Sequence, residues 1–234
     1  MSKLAVITGG TKGIGLAVIE RFASEKFDIV TCARNPVELE SLRKRLESIF
    51  QIKAYGITAD LSVRAQTKTF IDFVNALKRP VDVLVNNAGL FSPGKVTEEQ
   101  DGLLESMIET NLYSAYYTTR GLVGAMKEGK SGHIFNMCSI ASIKAYPNGG
   151  SYAISKFALL GFSKVLREEL KEYRIRVTAV LPGATRTTSW AAVQLPDERF
   201  MKPEDVAEAI YGAYTLSPRS VVEEIIIRPQ LGDL

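Results

Sequence analysis

A short stretch of the chain, from Ser139 to Lys156, brings together a hydroxyl, a phenol and an ammonium group suited to one reaction. Tyr152 and Lys156 are four residues apart in a segment with helical apolar spacing, so their side chains lie on one helix face. An adjacent ammonium lowers the pKa of a phenol from about 10, which lets the phenol exchange a proton with a carbonyl or alcohol oxygen. Ser139 is able to donate a hydrogen bond to the same oxygen. Taken alone, a tyrosine four residues before a lysine is also an ordinary feature of a helix surface.

Glycines near the N-terminus predict a phosphate-binding turn. The apolar run Leu4 to Thr8 is typical of a strand buried on both faces, and a helical pattern begins inside the glycine cluster that follows it, at Gly9, Gly10, Gly13 and Gly15. Unpaired N–H groups and the helix dipole then point at an anion. The spacing G-x-x-x-G-x-G departs from the dinucleotide fingerprint G-x-G-x-x-G, and simple punctuation between a strand and a helix is the alternative.

Two cations near this turn favour NADP(H) over NAD as the cofactor. The second predicted strand, Asp28 to Ala33, ends before Arg34, at a point where an acidic residue usually binds a free ribose 2′-hydroxyl. Lys12 lies within the glycine turn. Cations at these positions suit a 2′-phosphate, although a solvated charge at a strand end would look the same.

Composition limits the classes of partner. The 234 residues suit one α/β domain spanning residues 1–234, and 46% of them are hydrophobic. The net charge of +3 from 29 basic and 26 acidic residues is too even to indicate binding of nucleic acid or membrane. Neither a signal peptide nor a transmembrane run is apparent in the sequence, so a cytoplasmic location is expected.

The cysteines and the single histidine predict structural roles. Cys32 and Cys138 end apolar runs, where a small buried thiol is usual. His133 opens a predicted strand. No Cys/His cluster has the spacing of metal ligands, so no metal is expected.

The alternation of strands and helices predicts a doubly wound Rossmann-type sheet of about seven parallel strands, with helices on both faces. After the first two strands, helices are expected at Val37 to Phe50, Arg64 to Lys78, 112 to 127, 150 to 172 and Pro203 to Ala213. Further strands are expected at Ala54 to Ala59, Val81 to Val85, His133 to Met137, Ile175 to Leu181 and Val221 to Ile227.

The ordered motifs of the whole chain resemble those of the short-chain dehydrogenase/reductase family, in its compact single-domain branch. The segments that carry the resemblance are T-G-G-T-K-G-I-G from Thr8, N-N-A-G from Asn86, Y-A-I-S-K from Tyr152 and P-G-A-T-R-T from Pro182. Asp60, Asn111 and Ser139 match three further positions of the family's motif set. Each motif by itself could arise by chance, but the complete set in this order is specific for the family.

The resemblance implies roles for four catalytic residues. Tyr152 would be the general acid/base, and Lys156 would lower its pKa and hold the nicotinamide ribose. Ser139 would orient the substrate oxygen. Asn111, inside a predicted helix, would distort that helix and hold a water that links the lysine to solvent.

The resemblance also implies a cofactor site for NADP(H). The phosphate turn would contribute Gly9, Thr11, Gly13, Ile14 and Gly15, with Lys12 and Arg34 near the 2′-phosphate. Asp60 and Leu61 would flank the adenine, and Asn87, Ala88 and Gly89 would flank the adjoining ribose. Pro182, Gly183 and Thr185 would line the nicotinamide, with Thr187 close to its carboxamide or to the phosphates.

The substrate pocket and the assembly are predicted in less detail. A lid is expected within Thr188 to Lys202. The substrate pocket would be formed by this lid together with Phe91, Ile140, Tyr146 and Trp190, and it would be mostly apolar and without a charged anchor. The alternative is that these side chains belong to the hydrophobic core. Apolar residues on more than one face of the helices at 112 to 127 and 150 to 172 predict a homodimer or homotetramer, as in relatives.

The sequence therefore predicts an NADP(H)-dependent oxidoreductase acting on a small carbonyl or secondary alcohol. Reduction of 3-oxoacyl thioesters is a narrower alternative. A non-catalytic NADP-binding regulator, and an epimerase or dehydratase of the larger branch of the superfamily, are alternatives from other classes.

Overall fold

The computed structural model describes residues 2–190 and 193–234, which form a seven-stranded parallel sheet flanked by helices. The strands are β1 Leu4–Thr8, β2 Asp28–Ala33, β3 Ala54–Thr58, β4 Val83–Asn86, β5 Gly132–Met137, β6 Ile175–Pro182 and β7 Glu224–Ile227. Their order across the sheet is β3-β2-β1-β4-β5-β6-β7. The predicted Rossmann-type α/β fold is confirmed.

Helices cover both faces of the sheet. Their bounds are α1 Gly13–Ser24, α2 Pro36–Phe50, α3 Arg64–Ala76, α4 Leu103–Ile108, α5 Ser114–Gly129, α6 Gly150–Leu170 and α7 Pro203–Thr215. Side chains of α1, α2 and α7 share one hydrophobic cluster with the sheet, and those of α3, α5 and α6 share another. The sheet is therefore the middle layer of three.

β1 is buried on both faces, as its continuous apolar run predicts. Leu4 and Val6 belong to the cluster that contains α3, α5 and α6, whereas Ala5 and Ile7 belong to the cluster that contains α1, α2 and α7. Because successive side chains of a strand point to opposite faces, a strand between two helical layers needs apolar residues at every position.

The strand order reverses at β1. This strand pairs with β2 on one side and with β4 on the other. The connections that leave the carboxyl ends of β1 and β4 therefore diverge and open a crevice, which is where open α/β sheets bind ligands.

Most predicted element bounds differ from the observed ones by one to three residues, and three differences concern the order or start of elements. The fourth strand begins at Val83 rather than Val81, and the Asp82 carboxylate just before it accepts a hydrogen bond from the Leu4 backbone N–H at 2.8 Å. The last strand begins at Glu224 rather than Val221, since it is an edge strand that pairs with β6 over four residues. The short helix α4 precedes the region where a helix was expected from residue 112.

The cysteines and the histidine are buried in the core. Burial raises the pKa of the Cys32 thiol to about 12 and that of the Cys138 thiol to about 11. Burial lowers the pKa of His133 to about 2, and its Nε2 shares a hydrogen bond with Thr178 Oγ1 at 2.7 Å. The structural roles predicted for these residues agree with this placement. Among the described residues, no helix has the length and apolar character needed to cross a bilayer.

Asp28 ties the amino ends of three strands together. Its carboxylate accepts hydrogen bonds from Ser2 Oγ at 2.6 Å, the Lys53 backbone N–H at 2.8 Å and Arg79 Nη1 at 2.6 Å. Burial acts to raise the pKa of Asp28, but these hydrogen bonds outweigh it and the pKa lies below its usual value. The ionised carboxylate therefore stabilises the folded state.

Replacing Asp28 by asparagine should lower the free energy of unfolding at neutral pH by about 1–3 kcal/mol, because a charge-assisted set of hydrogen bonds is lost. Because the pKa of Asp28 is lower in the folded state, the extra stability of the wild type is complete above the unfolded-state pKa of about 4. It is lost as the pH falls through the folded-state pKa. Urea unfolding of the wild type and Asp28→Asn at several pH values measures this difference in the free energy of unfolding, with the exposed Asp72→Asn as control. An advantage that persists unchanged at low pH would contradict the assignment.

Candidate active site

The turn after β1 is shaped to hold a phosphate group. Gly9 and Gly13 have φ values of +67° and +55°, a region that side chains with a Cβ disfavour. A Cβ on Gly15 would lie 2.4 Å from both Asn87 Nδ2 and the Gly9 carbonyl. Lys12 precedes the first residue of α1, and no described side chain caps that helix end. The backbone N–H groups of the turn are therefore available to an anion.

Thr8 and Asn87 join the carboxyl ends of β1 and β4. Asn87 Nδ2 donates to the carbonyls of Thr8 and Gly9 at 2.9 and 3.0 Å. The backbone N–H groups of Asn87 and Ala88 donate to Thr8 Oγ1 at 2.9 and 3.0 Å. Sequence reasoning assigned no role to Thr8, although its position as the last residue before the glycines was the available signal. These hydrogen bonds fix the distance between the segment that follows β1 and the segment that follows β4.

Asn111 lies in a widened helical turn between α4 and α5. Residues Glu109–Tyr113 form this turn with i→i+5 hydrogen bonds, so the helix is distorted where the asparagine was expected to distort it. Asn111 is buried, its Oδ1 accepts from the Leu90 N–H at 2.7 Å, and its Nδ2 donates to the Leu90 carbonyl at 3.0 Å and to Ser155 Oγ at 2.9 Å. It connects the segment after β4 to α6.

Ser139, Tyr152 and Lys156 meet at the inner end of the crevice. Ser139 follows β5, and its hydroxyl lies on the cleft close enough to Tyr152 to lower the pKa of the phenol. Lys156 Nζ lies 5.7 Å from the centre of the Tyr152 ring and donates to the Met137 carbonyl at 2.8 Å. The spacing of one helical turn on α6 therefore places the Tyr152 phenol and the Lys156 ammonium side by side at the cleft, as predicted.

The protonation of this group differs from the sequence-based expectation. Burial raises the pKa of Tyr152 to about 12, and the nearby Ser139 hydroxyl only partly offsets this rise. Burial lowers the pKa of Lys156 to about 8. The expected lowering of the phenol's pKa by Lys156 is therefore absent in this structure, because the cost of desolvating both charges dominates. At neutral pH the phenol is protonated and able to donate a proton.

These residues border one cleft with a volume of about 600 Å³. Of the predicted site residues, Asn111 alone does not line the cleft; it lies behind Gly89, where a Cβ would be 3.3 Å from Asn111 Oδ1 and 3.6 Å from Lys156 Nζ. The others lie along its walls, namely Gly9, Thr11, Lys12, Gly13, Ile14, Gly15, Arg34, Asp60, Leu61, Asn87, Ala88, Gly89, Ser139, Tyr152, Lys156, Pro182, Gly183, Thr185 and Thr187. The predicted pocket residues Phe91, Ile140, Tyr146 and Trp190 line it as well.

Comparison with known proteins decides the family. The model of the short chain dehydrogenase family matches residues 3–198. The chain belongs to the short-chain dehydrogenase family. A sepiapterin reductase of Chlorobaculum tepidum is 34% identical to this short-chain dehydrogenase, over 100% of the chain and 99% of the relative. An uncharacterised oxidoreductase of Staphylococcus aureus is 29% identical over 97% of both chains.

Solved structures of other family members superpose closely on the chain. An alcohol dehydrogenase of Thermococcus sibiricus, complexed with 5-hydroxy-NADP, has a TM-score of 0.92 and 27% identity, covering 98% of this chain and 97% of its own. An L-sorbose reductase of Gluconobacter frateurii, complexed with NADPH and L-sorbose, has a TM-score of 0.90 and 27% identity, covering 97% and 95%. This short-chain dehydrogenase is therefore similar to oxidoreductases over nearly its full length.

The cation Lys12 of this short-chain dehydrogenase has an acidic partner that the sequence-based interpretation did not include. Lys12 Nζ contacts Glu38 Oε1 at 2.8 Å, and the ammonium holds the pKa of Glu38 below its usual value. Arg34 is exposed at the end of β2 and lines the same part of the cleft. Arg34 is consequently the cation of the predicted pair that has no carboxylate partner among the described ion pairs.

The cleft is lined by charged residues in addition to Lys12, Arg34, Asp60 and Lys156, whereas a pocket without a charged anchor was expected for the substrate. Lys144 and Asp233 line it and contact each other at 3.5 Å, and Asp233 also pairs with Arg228 at 2.6 Å. Asp233 lies 94 positions beyond Ser139, and tertiary packing alone brings the end of the chain here. A sequence pattern offered no signal for this contact.

The expected lid is anchored at its base. Its residues Ala191 and Ala192 lie outside the described residues. Short helical turns occur at Thr188–Trp190 and Asp197–Arg199. At the base, the Arg186 N–H donates to the Met201 carbonyl and the Met201 N–H donates to the Ala184 carbonyl, at 2.8 and 2.9 Å. The segment therefore leaves and rejoins the fold at one point beside the cleft.

Proposed function

We propose that this short-chain dehydrogenase is an NADP(H)-dependent carbonyl reductase, in which Tyr152 exchanges the proton at the substrate oxygen. The observation that carries the proposal is the placement of Ser139 and the Tyr152 phenol beside the buried Lys156, in the same cleft as the phosphate turn. A substrate oxygen held by both hydroxyls would receive a hydrogen bond from each as its charge develops.

The protonation states favour the reductive direction. With the pKa of Tyr152 raised to about 12, the phenol carries its proton at neutral pH and is ready to donate it to a carbonyl oxygen. With the pKa of Lys156 lowered to about 8, most of this side chain is still charged at neutral pH. An ammonium near the phenol would stabilise the phenolate that remains after proton transfer.

The residues present fit a phosphorylated dinucleotide. A Cβ on Gly15 would collide with Asn87 and the Gly9 carbonyl, so the glycine turn packs tightly, and the N-terminus of α1 has no cap from its N-cap side chain. Arg34 would bind the 2′-phosphate, while Asp60, Leu61 and Asn87 would line the adenosine part. When bound, the nicotinamide supplies or accepts the hydride at the carbonyl carbon. Several similar structures carry NADP or NADPH, which supports the same cofactor.

A ketone attached to a flat heteroaromatic ring is a narrower candidate substrate. The rings of Phe91 and Trp190 lie nearly parallel, with an interplanar angle of 21° and centroids 6.1 Å apart. Asp233 Oδ1 is buried without a hydrogen-bond partner among the described atoms. A flat ring with N–H donors would stack on the aromatic side chains and bond to this oxygen. The ring of sepiapterin, the compound in the name of the Chlorobaculum tepidum relative, has this chemistry.

Self-association through α6 is proposed from the surface of this helix. Ile154, Phe157 and Val165 are exposed on α6, and Tyr113 is exposed just before α5. A surface that exposes several large apolar side chains on adjoining helices is typical of a protein interface. A homodimer formed by these helices would cover them.

Tyr152→Phe should reduce turnover at least about a thousandfold while leaving NADPH affinity nearly unchanged, because the phenol acts on the substrate oxygen. NADPH oxidation at neutral pH is followed with 1-phenyl-1,2-propanedione, sepiapterin, menadione and acetoacetyl-coenzyme A, and NADPH binding by fluorescence. Tyr173→Phe, outside the cleft, is the control. Substantial activity in Tyr152→Phe would show that Tyr152 is not the general acid. Tight NADPH binding by the wild type without turnover of any compound would favour the alternative of a non-catalytic NADP-binding regulator.

Arg34→Asp should weaken NADPH binding about tenfold or more and leave NADH binding little changed, because only NADPH carries the 2′-phosphate. Lys44→Asp, an equal charge reversal on the exposed side of α2, is the matched control. Fluorescence titration with both cofactors measures the ratio of dissociation constants. A wild-type preference for NADH would refute the NADP(H) assignment.

Light scattering should give at least twice the mass of one chain at micromolar concentration. Phe157→Glu should shift the protein toward the monomer, because a charge would be buried in the interface. Val37→Glu, at an exposed apolar position of α2, should leave the mass unchanged. A monomeric mass for the wild type would rule out the proposed assembly.

A further inference from the structure

The first turn of the catalytic helix α6 is capped from outside the helix. Gly149 occupies the N-cap position and has no side chain with which to cap it. The Ser151 N–H instead donates to Glu99 Oε1 at 2.9 Å, and the Ser151 hydroxyl contacts the other carboxylate oxygen of Glu99. Tyr152 is the next residue. A carboxylate from another part of the chain thus holds the turn that carries the proposed general acid.

The backbone of α6 approaches Glu99 too closely for a side chain to stand between them. Gly150 has a φ of +41°, and a Cβ there would lie 2.0 Å from Glu99 Oε1 and 2.5 Å from the Gly94 carbonyl. The Gly94 N–H also donates to the Asn148 carbonyl at 3.0 Å. Gly150 is therefore required by this contact.

The segment that contains Glu99 is attached on both sides of Tyr152. At its beginning, both backbone groups of Leu90 bond to Asn111, and the Phe91 ring packs edge-on against the Tyr152 ring with centroids 4.8 Å apart. At its end, Glu99 holds the residue that precedes Tyr152. One segment thus contacts both the ring of Tyr152 and the residue that precedes it.

We infer that Glu99 is a positioning residue, whose carboxylate fixes the first turn of α6 and so sets the distance between the Tyr152 phenol and Ser139. A negative group at a helix N-terminus satisfies free N–H groups and interacts favourably with the helix dipole. Since proton transfer requires the phenol within hydrogen-bond reach of the substrate oxygen, a displacement of about 1 Å is enough to slow the reaction strongly. This inference rests on the proposed function of Tyr152.

The kinetic experiment compares Glu99→Ala and Glu99→Gln with Glu98→Gln, a matched control on an exposed side chain that pairs only with Lys95 among the described ion pairs. The substrate is the compound of the panel that the wild type reduces fastest. Glu99→Ala should lower kcat about tenfold or more, with the NADPH dissociation constant within about twofold of wild type. Glu99→Gln should retain more kcat than Glu99→Ala, because its amide oxygen still accepts from the Ser151 N–H. A kcat for Glu99→Ala within about twofold of wild type overturns the inference.

Hydrogen exchange tests the same contact without any turnover. Peptides covering residues 148–154 should exchange about fivefold faster or more in Glu99→Ala, while peptides from α7 stay unchanged. Unchanged exchange at Ser151 and Tyr152 in Glu99→Ala overturns the inference. If Glu99→Ala does not fold, Glu99→Gln should show a smaller increase in exchange, because its amide lacks the second acceptor oxygen that the Ser151 hydroxyl contacts, and unchanged exchange in that variant overturns the inference. Full activity of Tyr152→Phe would instead overturn the proposed function, and faster exchange in Glu99→Ala would then still establish the capping contact.

Discussion

The contact between the carboxyl ends of β1 and β4 is the constraint on which the site depends. Asn87 reaches across to the carbonyls of Thr8 and Gly9, while Thr8 Oγ1 accepts two backbone N–H groups from the other strand. These bonds satisfy polar groups that the diverging chain would otherwise leave unpaired, and Gly15 has no room for a Cβ beside them. The phosphate turn on one side and the catalytic group on the other are thereby held at a fixed separation.

Burial accounts for the electrostatics of the catalytic group. Lys156 is buried and its ammonium donates to the Met137 carbonyl, while the Tyr152 phenol lies near the Ser139 hydroxyl. Desolvation disfavours the charged form of each side chain, so the pKa of the lysine falls to about 8 and that of the tyrosine rises to about 12. A protein environment that holds a neutral phenol next to an ammonium suits donation of a proton to a carbonyl.

The elements that carry these side chains are themselves held by polar contacts from the segment after β4. Asn111, in its widened turn, bonds to both backbone groups of Leu90 and to Ser155, and Glu99 bonds to Ser151. Two buried or partly buried polar side chains thus connect one loop to α6 on either side of Tyr152. Precise placement of the phenol depends on this loop as much as on the helix.

The sequence alone determined the fold and most of the residues that line the cleft, because these depend on local patterns. Apolar runs such as Leu4 to Thr8 predicted strands buried on both faces, and glycines and polar residues after those strands marked the crevice, where parallel strands all present their carboxyl ends. Only the tertiary structure decided the contacts between residues that are far apart in the sequence. Glu38 beside Lys12, Glu99 on Ser151 and Asp233 beside Lys144 are contacts between separate elements, and no periodicity records them. The pKa of Tyr152 was also beyond sequence reasoning, because the spacing to Lys156 predicts proximity but not the degree of burial that reverses the direction of the shift.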